Sequence, residues 1–138
     1  MNKVFVDTWA WYALADATDA DHAGAQAIND RLLTEGDVFI TTNFVLAEAI
    51  TLIRYHLHHV AAVRFHQLVQ QMVDGGLIEV VRISEEHEAN AWAIFEKYSD
   101  QKFSYTDCTS FAVMRELKLT HVFTGDHHFS ILGFTLIS

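Results

Sequence analysis

Short runs of apolar, β-favouring residues alternate along this chain with longer segments whose apolar residues recur every three or four positions. Short apolar runs bounded by polar or glycine residues predict buried strands, and the longer periodic segments predict helices. We therefore expect five strands, over residues 4–7, 38–40, 77–81, 121–124 and 134–137. Helices are expected over residues 9–15, 22–33, 44–55, 61–73, 84–98 and 104–117, with a single helical turn at 127–132.

This alternation of strands and helices predicts the α/β fold class. Strands connected through helices pair in parallel with right-handed crossovers, so we expect a three-layer α/β/α sandwich around a mostly parallel sheet. The chain has 138 residues, no proline and six glycines, which predicts one domain over residues 1–138 without a long flexible linker.

The charge balance argues against a broad nucleic-acid-binding surface. The formal net charge is −9, and the nine Lys and Arg residues are scattered along the chain. Nucleic-acid binders usually carry a basic stripe, so a nucleic-acid substrate would have to be held through metal ions, a small local patch or a partner chain. The same acidic balance suits a basic protein partner.

Cysteine content and hydropathy predict a cytoplasmic protein. Cys108 is the only cysteine, which rules out an internal disulfide and fits a reducing compartment; we expect it to be a small buried residue. Asp7 interrupts the apolar stretch that a signal peptide would need. The longest runs without Asp, Glu, Lys or Arg are about a dozen residues, too short to span a bilayer.

Two Asp residues stand at the ends of predicted strands. Asp7 closes the run Val4–Val6, and Asp126 follows the fourth strand after Gly125. In open α/β sheets, ligands bind outside the carboxyl ends of the strands where the strand order reverses, and a first strand often lies at that point. Either Asp could instead cap the next helix or stabilise a turn, since Asp is a common N-cap residue.

Two further carboxylates lie within predicted helices. Glu48 sits in the otherwise apolar segment 44–53, where an ionised group is costly unless it is paired or bound to a metal. The alternatives for Glu48 are a locally exposed helix rim or a salt bridge to Arg54. Asp107 follows Ser104 by three positions, which resembles a capping box but also suits a group aimed at a site near the helix start.

If the first and fourth strands are neighbours, these four acids can converge. Carboxylates a few ångströms apart repel one another, and a divalent cation removes that penalty. A set of oxygen ligands without Cys or His favours Mg²⁺ or Mn²⁺ over Zn²⁺. We therefore expect a metal site formed by Asp7, Glu48, Asp107 and Asp126.

Four segments, in this order along the chain, resemble the motifs of the PIN domain family, most closely its VapC-type toxin ribonucleases. The segments are Val4–Thr8, Thr42–Glu48, Thr106–Met114 and Val122–Phe129. The resemblance implies a parallel sheet of about five strands in the order 3-2-1-4-5, with a crevice at the first and fourth strands. It also implies a Mg²⁺- or Mn²⁺-dependent endoribonuclease whose products carry a 5′-phosphate.

The motifs also imply roles for individual residues. The four acids named above match the family's metal-binding and catalytic acids, and Thr8 and Thr124 match hydroxyl positions that help to shape the site. Family habit further implies an RNA substrate, a small antitoxin partner and a homodimer. The alternative is a catalytically silent PIN scaffold that binds RNA or protein, and the presence of all four acids argues against it.

Other acid-containing α/β enzymes fit the sequence less well. A haloacid-dehalogenase-type phosphatase needs a second Asp two residues after Asp7, where Trp9 stands. A receiver domain needs a phosphate-accepting Asp after the third strand, and residues 81–84 contain none.

The remaining histidines and aromatic residues suggest further hypotheses. The cluster His56, His58, His59 and His66 lacks zinc-site spacing and is typical of a solvated helix junction or an oligomer contact. One of His127 and His128 could face the crevice, since both follow Asp126. The group Trp9, Trp11 and Tyr12 could stack on bases, but core or dimer packing suits it better.

Overall fold

The structure, a computed structural model, describes residues 2–137. Its strands are β1 (Lys3–Val6), β2 (Val38–Thr42), β3 (Ile78–Val81), β4 (His121–Phe123) and β5 (Thr135–Ile137). Its helices are α1 (Thr8–Ala15), α2 (His22–Thr34), α3 (Asn43–His56), α4 (His59–Asp74), α5 (Glu85–Lys97), α6 (Tyr105–Glu116) and α7 (His128–Ile131). The predicted elements are all present, with ends that differ from the sequence-based bounds by a few residues.

All five strands form one parallel sheet in the order β3-β2-β1-β4-β5. The predicted fold class and strand order are therefore confirmed. The chain moves outward from β1 through β2 to β3, then returns to the other side of β1 for β4 and β5. β1 and β4 are neighbours, with Phe5 paired to Val122 and Val6 to Phe123.

The reversal of direction at β1 determines where the helices lie. Right-handed crossovers that run in opposite directions along a sheet place their helices on opposite faces. Helices α1 to α4 therefore cover one face, where α3 packs against α1 and α4, and helices α5 to α7 cover the other, where α5 packs against α6. Both faces of β1 are covered, which explains why Val4, Phe5 and Val6 are all buried.

Trp11 confirms the prediction of core packing for one residue of the N-terminal aromatic group. Its side chain is buried and contacts Phe39 and Phe65 edge-on, with ring centroids 6.3 Å and 5.9 Å away. The indole Nε1 donates to Thr41 Oγ1 at 3.2 Å, and that hydroxyl donates to the Val6 carbonyl at 3.1 Å. Trp11 thereby ties α1 to β2 and β1.

Three residues of the histidine cluster, His56, His58 and His59, lie at the junction of α3 and α4, whereas His66 lies within α4. His58 is the N-cap of α4, and its Nδ1 accepts a hydrogen bond from the Ala61 N–H at 3.1 Å. The cap lets α4 begin at His59, two residues before the start predicted from hydropathy. His56 packs edge-on against Tyr12, with ring centroids 5.6 Å apart.

Two further predictions concern the burial of Cys108 and the absence of a membrane-spanning segment. Cys108 is fully buried, as expected, and burial raises the pKa of its thiol to about 11. Across residues 2–137, no helix combines the length and the apolar character that crossing a bilayer requires.

Candidate metal centre

The carboxyl ends of β1 and β4 bring three of the predicted acids into one crevice. Asp7 directly follows β1, Asp126 follows β4 by three residues, and Asp107 lies in the first turn of α6. Because β1 and β4 are parallel neighbours, the segments that leave them start side by side. The sheet topology, rather than proximity in sequence, therefore assembles this group of acids.

Asp7 is 4% exposed and is held by a residue from the neighbouring strand end. Thr124 Oγ1 donates a hydrogen bond to Asp7 Oδ2 at 3.0 Å. Asp7 occupies the N-cap position of α1 but makes no capping hydrogen bond with its side chain. Asp7 therefore stands at the cap position without the side-chain bond that the capping alternative requires, and its carboxylate instead accepts from Thr124.

Thr124 also contacts the third acid of the group. Its Oγ1 accepts a hydrogen bond from the Asp126 N–H at 3.0 Å, while the same hydroxyl donates to Asp7. The Thr124 side chain is fully buried. One hydroxyl group thus fixes the Asp7 carboxylate relative to the backbone of Asp126.

Asp107 forms a capping box with Ser104 and also faces the crevice. Ser104 Oγ accepts from the Asp107 N–H at 3.0 Å, and Asp107 Oδ2 accepts from the Ser104 N–H at 3.1 Å. The two interpretations drawn from the sequence are therefore compatible. The box orients the carboxylate, and α6 is buried from Asp107 to Met114, which fixes the position of the helix.

Asp126 stabilises a turn and lies against a histidine. Its Oδ1 accepts from the His128 N–H at 3.0 Å, so the turn alternative for Asp126 is confirmed. The His128 Nδ1 atom lies 3.4 Å from Asp126 Oδ1 and 3.5 Å from Asp107 Oδ2. One donor atom from each of Asp107, Asp126 and His128 lies within 4.8 Å of the others.

Glu48, like Asp7, is not among the residues whose donor atoms lie within 4.8 Å of one another. Its side chain is partly buried on α3, and its charge contributes to the raised pKa of Asp107. Within residues 2–137, no ion pair joins Glu48 to Arg54, which was the alternative drawn from the sequence. Glu48 therefore lies at the edge of the same electrostatic site without a partner of opposite charge in the part described.

The crevice is electrostatically unfavourable for ionised acids without a cation. Burial, followed by the nearby charge of Asp107, raises the pKa of Asp7 from 3.8 to about 7. Burial also raises the pKa of Asp107, and the charges of Asp126 and Glu48 add to that effect. A divalent cation would stabilise the ionised forms of all these groups.

The residues present fit a divalent ion. Carboxylate oxygens are the ligands that Mg²⁺ and Mn²⁺ prefer, and imidazole is a ligand of transition metals, to which Mn²⁺ belongs and Mg²⁺ does not. Two buried polar atoms at this edge lack a hydrogen-bond partner among residues 2–137, namely Thr8 Oγ1 and His128 Nδ1. Thr8 directly follows Asp7 in sequence, and His128 follows Asp126 by two residues.

Sequence reasoning missed the part played by Gly125. An added Cβ at this position would come within 2.4 Å of the Trp9 ring, so the indole packs directly on the Gly125 backbone. The signal was a glycine between two functional positions, but the sequence does not reveal that an aromatic residue 116 positions earlier approaches it.

The chain was compared with models of known protein families. Residues 4–134 match the family described as PIN domain. The chain therefore belongs to the PIN domain family, and the resemblance drawn from its four motifs is confirmed.

Two individual relatives show which kind of PIN domain protein this chain is similar to. The chain is similar to the 23S rRNA-specific endonuclease VapC20 of Mycobacterium tuberculosis, with 33% identity over 131 residues that cover 95% of each protein. It is 29% identical over 129 residues to a VapC ribonuclease of Archaeoglobus fulgidus, covering 91% of this chain and 78% of that protein. These relatives are VapC-type ribonucleases.

Solved structures of VapC and VapBC proteins also match this chain. The crystal structure of Mycobacterium tuberculosis VapC20, described as a sarcin-ricin loop cleaving toxin, matches with a TM-score of 0.84 and 32% identity, covering 96% of both chains. VapBC2 from Rickettsia felis matches with a TM-score of 0.68 over 99% of this chain and 98% of that one, but at 11% identity, which shows a shared fold alone.

Proposed function

We propose that this protein is a metal-dependent endoribonuclease and the toxin of a type II toxin–antitoxin pair. The observation that carries the proposal is the convergence of Asp7, Asp107 and Asp126 at the carboxyl ends of β1 and β4, with Glu48 at the edge. Membership of the PIN domain family and similarity to VapC ribonucleases support it. Residues 1–138 are proposed to act as one domain.

In this proposal the acids of the site hold Mg²⁺ or Mn²⁺. Asp7, Asp107 and Asp126 supply carboxylate oxygens, and Glu48 supplies a further negative charge beside Asp107. Thr124 positions Asp7 and Asp126 through its two hydrogen bonds. Thr8 contributes a buried hydroxyl at the start of α1.

The ion, when bound, lowers the pKa of a water molecule and neutralises a non-bridging phosphate oxygen. Hydrolysis adds the water oxygen to phosphorus and breaks the bond to the 3′ oxygen, leaving a 5′-phosphate on one product and a 3′-hydroxyl on the other. The water's proton passes to a carboxylate of the site, and the departing 3′ oxygen takes up a proton from solvent to become the hydroxyl. Because the chain carries a net charge of −9 and few basic side chains, an ion held by these acids would supply the main positive charge for the phosphate.

The test is cleavage of a panel of structured RNAs by the purified protein with Mg²⁺, with Mn²⁺ and with chelator. The panel includes tRNAs and 23S ribosomal RNA, because a relative at 33% identity is named for that substrate. We expect metal-dependent cleavage by the wild type and none by Asp107→Asn. Asp74→Asn is the matched control, since Asp74 is exposed at the end of α4, before β3 and at the opposite edge of the sheet.

The outcome separates the enzyme from a binding scaffold. A folded wild-type protein that binds RNA from the panel but cleaves none of it in either metal would contradict the nuclease proposal and favour the silent scaffold. Cleavage that survives in Asp107→Asn would indicate a contaminating nuclease or a different active site.

An antitoxin partner is part of the proposal. Structures with the same fold include proteins described as VapBC, and the acidic chain suits a basic partner. A short basic reading frame beside the gene is the candidate. Co-expression of the two proteins is expected to give a complex in which RNA cleavage is suppressed. The proposed site of action is the cytoplasm, where the cell's RNA is found. Two proteins that elute separately would contradict the antitoxin proposal.

The proposed function also includes a homodimer, and an exposed aromatic cluster is its proposed interface. Trp92 and Phe95 on α5 are 52% and 40% exposed and stack with ring centroids 5.4 Å apart, beside Tyr105. Exposed apolar patches often mark interfaces. Light scattering should give a dimer for the wild type and for the control Val60→Ser, and a monomer for Trp92→Ser; a wild-type monomer would contradict it.

A further inference from the structure

The imidazole of His128 lies where a nitrogen donor could join the carboxylates. Its Nδ1 atom is 3.4 Å from Asp126 Oδ1 and 3.5 Å from Asp107 Oδ2. Neither contact has hydrogen-bond geometry, so this buried nitrogen has no hydrogen-bond partner among residues 2–137. Buried polar atoms without a partner are uncommon in folded proteins and require a physical explanation.

The two oxygens that face His128 Nδ1 are already held by backbone groups. Asp126 Oδ1 accepts from the His128 N–H at 3.0 Å, and Asp107 Oδ2 accepts from the Ser104 N–H at 3.1 Å. These bonds fix both oxygens in place while leaving their remaining lone pairs available. The nitrogen and the two oxygens therefore form a triangle of preorganised donor atoms.

The dimensions of this triangle suit a single ion. Two adjacent ligands about 2.1 Å from an octahedral ion lie about 3 Å apart. The distances of 3.4 Å and 3.5 Å from Nδ1 to the two oxygens are close to that separation. The three donor atoms all lie within 4.8 Å of one another, so a single ion placed between them could draw on the nitrogen and both oxygens.

The orientation of the imidazole is fixed by its surroundings. Phe103 is buried and contacts the His128 ring edge-on, with centroids 5.4 Å apart. Phe103 in turn packs on Phe111, with ring centroids 5.0 Å apart. The backbone of His128 is tied to Asp126 by the turn described above. This support keeps Nδ1 facing the carboxylates rather than solvent.

We propose that His128 Nδ1 is a nitrogen ligand of the divalent ion held by Asp107 and Asp126. The inference rests on the proposed metal-dependent function and adds a ligand of a different chemical type to it. Imidazole suits Mn²⁺ better than Mg²⁺, which prefers an all-oxygen set. The site is therefore a mixed nitrogen and oxygen site that prefers Mn²⁺.

Pulsed electron paramagnetic resonance of the wild-type protein loaded with Mn²⁺ tests this directly, because it detects a ¹⁴N nucleus bound to the ion. We expect a coupling from one directly bound imidazole nitrogen. The coupling should be lost in His128→Ala and in His128→Gln, the second variant retaining a polar side chain in case the first is poorly folded. Circular dichroism checks that each variant is folded.

Two histidine variants serve as controls. His127→Ala removes the exposed neighbouring imidazole and must retain the coupling, as must His121→Ala, since His121 is exposed at the far end of β4. In calorimetric titrations, His128→Gln should weaken Mn²⁺ binding by about tenfold or more and Mg²⁺ binding less. Its preference for Mn²⁺ over Mg²⁺ should therefore fall.

The outcomes distinguish this inference from the function on which it rests. Mn²⁺ binding that Asp107→Asn abolishes, without any ¹⁴N coupling in the wild type, would overturn the role of His128 and leave the proposed nuclease intact. A coupling that persists in both His128 variants would also overturn it. Failure of the wild type to bind Mn²⁺ at all would contradict both proposals.

Discussion

Thr124 Oγ1 donates a hydrogen bond to Asp7 Oδ2 at 3.0 Å, although the two residues are 117 positions apart in sequence. The bond joins the carboxyl ends of β4 and β1, the two neighbouring strands at which the strand order reverses. It therefore ties the sheet topology directly to an acid of the proposed metal centre. Through the same hydroxyl, the position of Asp126 depends on that of Asp7.

Thr124→Val should therefore damage both stability and metal binding. The substitution keeps the shape of the side chain but removes the donor to Asp7 and the acceptor for the Asp126 N–H. Leaving buried polar groups unpaired costs about 1–3 kcal/mol. Urea denaturation should show that loss, and calorimetry should show weaker Mn²⁺ binding. Thr124→Ser retains the hydroxyl and should lose much less of either; equal losses in both variants would contradict the hydrogen-bonding role.

The raised pKa of Asp7 predicts an unusual pH dependence of the metal-free protein. Asp7 titrates at about 7 in the folded state against an ordinary value of 3.8, so the folded state holds an extra proton between these pH values. The free energy of unfolding should then fall as pH rises from about 4 to about 8, and stay lower above that. Raising the pKa from 3.8 to about 7 corresponds to about 4 kcal/mol.

Chelator-treated protein in urea at a series of pH values provides the measurement. Asp7→Asn cannot ionise, so its stability should fall less with rising pH, and it should exceed the wild type at pH 8. Asp74→Asn should follow the wild type. Mg²⁺ should restore wild-type stability at pH 8 because it favours the ionised carboxylates. An identical pH dependence in wild type and Asp7→Asn would contradict the burial of an acid at this position.

Gly125→Ala should be destabilising because of one specific neighbour. The new Cβ would lie within 2.4 Å of the rigid Trp9 ring, and overpacking of this kind costs about 1–3 kcal/mol. In a Trp9→Ala background the same change should cost little, since the clash is gone. The double-mutant cycle measures that coupling. Equal costs in the two backgrounds would show that the glycine is required for another reason.

Two capping boxes offer a matched pair of variants. Ser104 caps α6 and holds Asp107, whereas Ser84 caps α5 through His87 and lies outside the acid crevice. Ser104→Ala and Ser84→Ala should each cost about 0.5–2 kcal/mol of stability. Ser104→Ala alone should also weaken Mn²⁺ binding, because it releases the backbone that orients Asp107. A similar effect of both variants on metal binding would contradict this.

Much of this arrangement could be predicted from sequence because it depends on features that local pattern encodes. Strand ends are visible as apolar runs that stop at a polar residue, so the places of Asp7 and Asp126 at one edge of the sheet follow from the parallel order. Asp107 was recognisable through the Ser104 spacing. These positions depend on the backbone path, which hydropathy largely determines.

The remaining features depend on side-chain packing between distant elements. Nothing in the local sequence distinguishes His127 from His128, yet the first is exposed and the second lies against two carboxylates. The effect of the Glu48 charge on Asp107 also depends on how α3 packs against α6. The approach of Trp9 to Gly125 likewise depends on how α1 packs across the strand ends.

The most direct test of the central claim is the initial rate of RNA cleavage measured against Mg²⁺ concentration for the wild type, Asp107→Asn and Asp74→Asn. If the acid crevice is a catalytic metal site, the wild type and Asp74→Asn are inactive in chelator and share one saturating dependence on Mg²⁺. Asp107→Asn should stay inactive or need at least about tenfold more metal. Cleavage by the wild type in chelator, or equal curves for all three proteins, would contradict the claim.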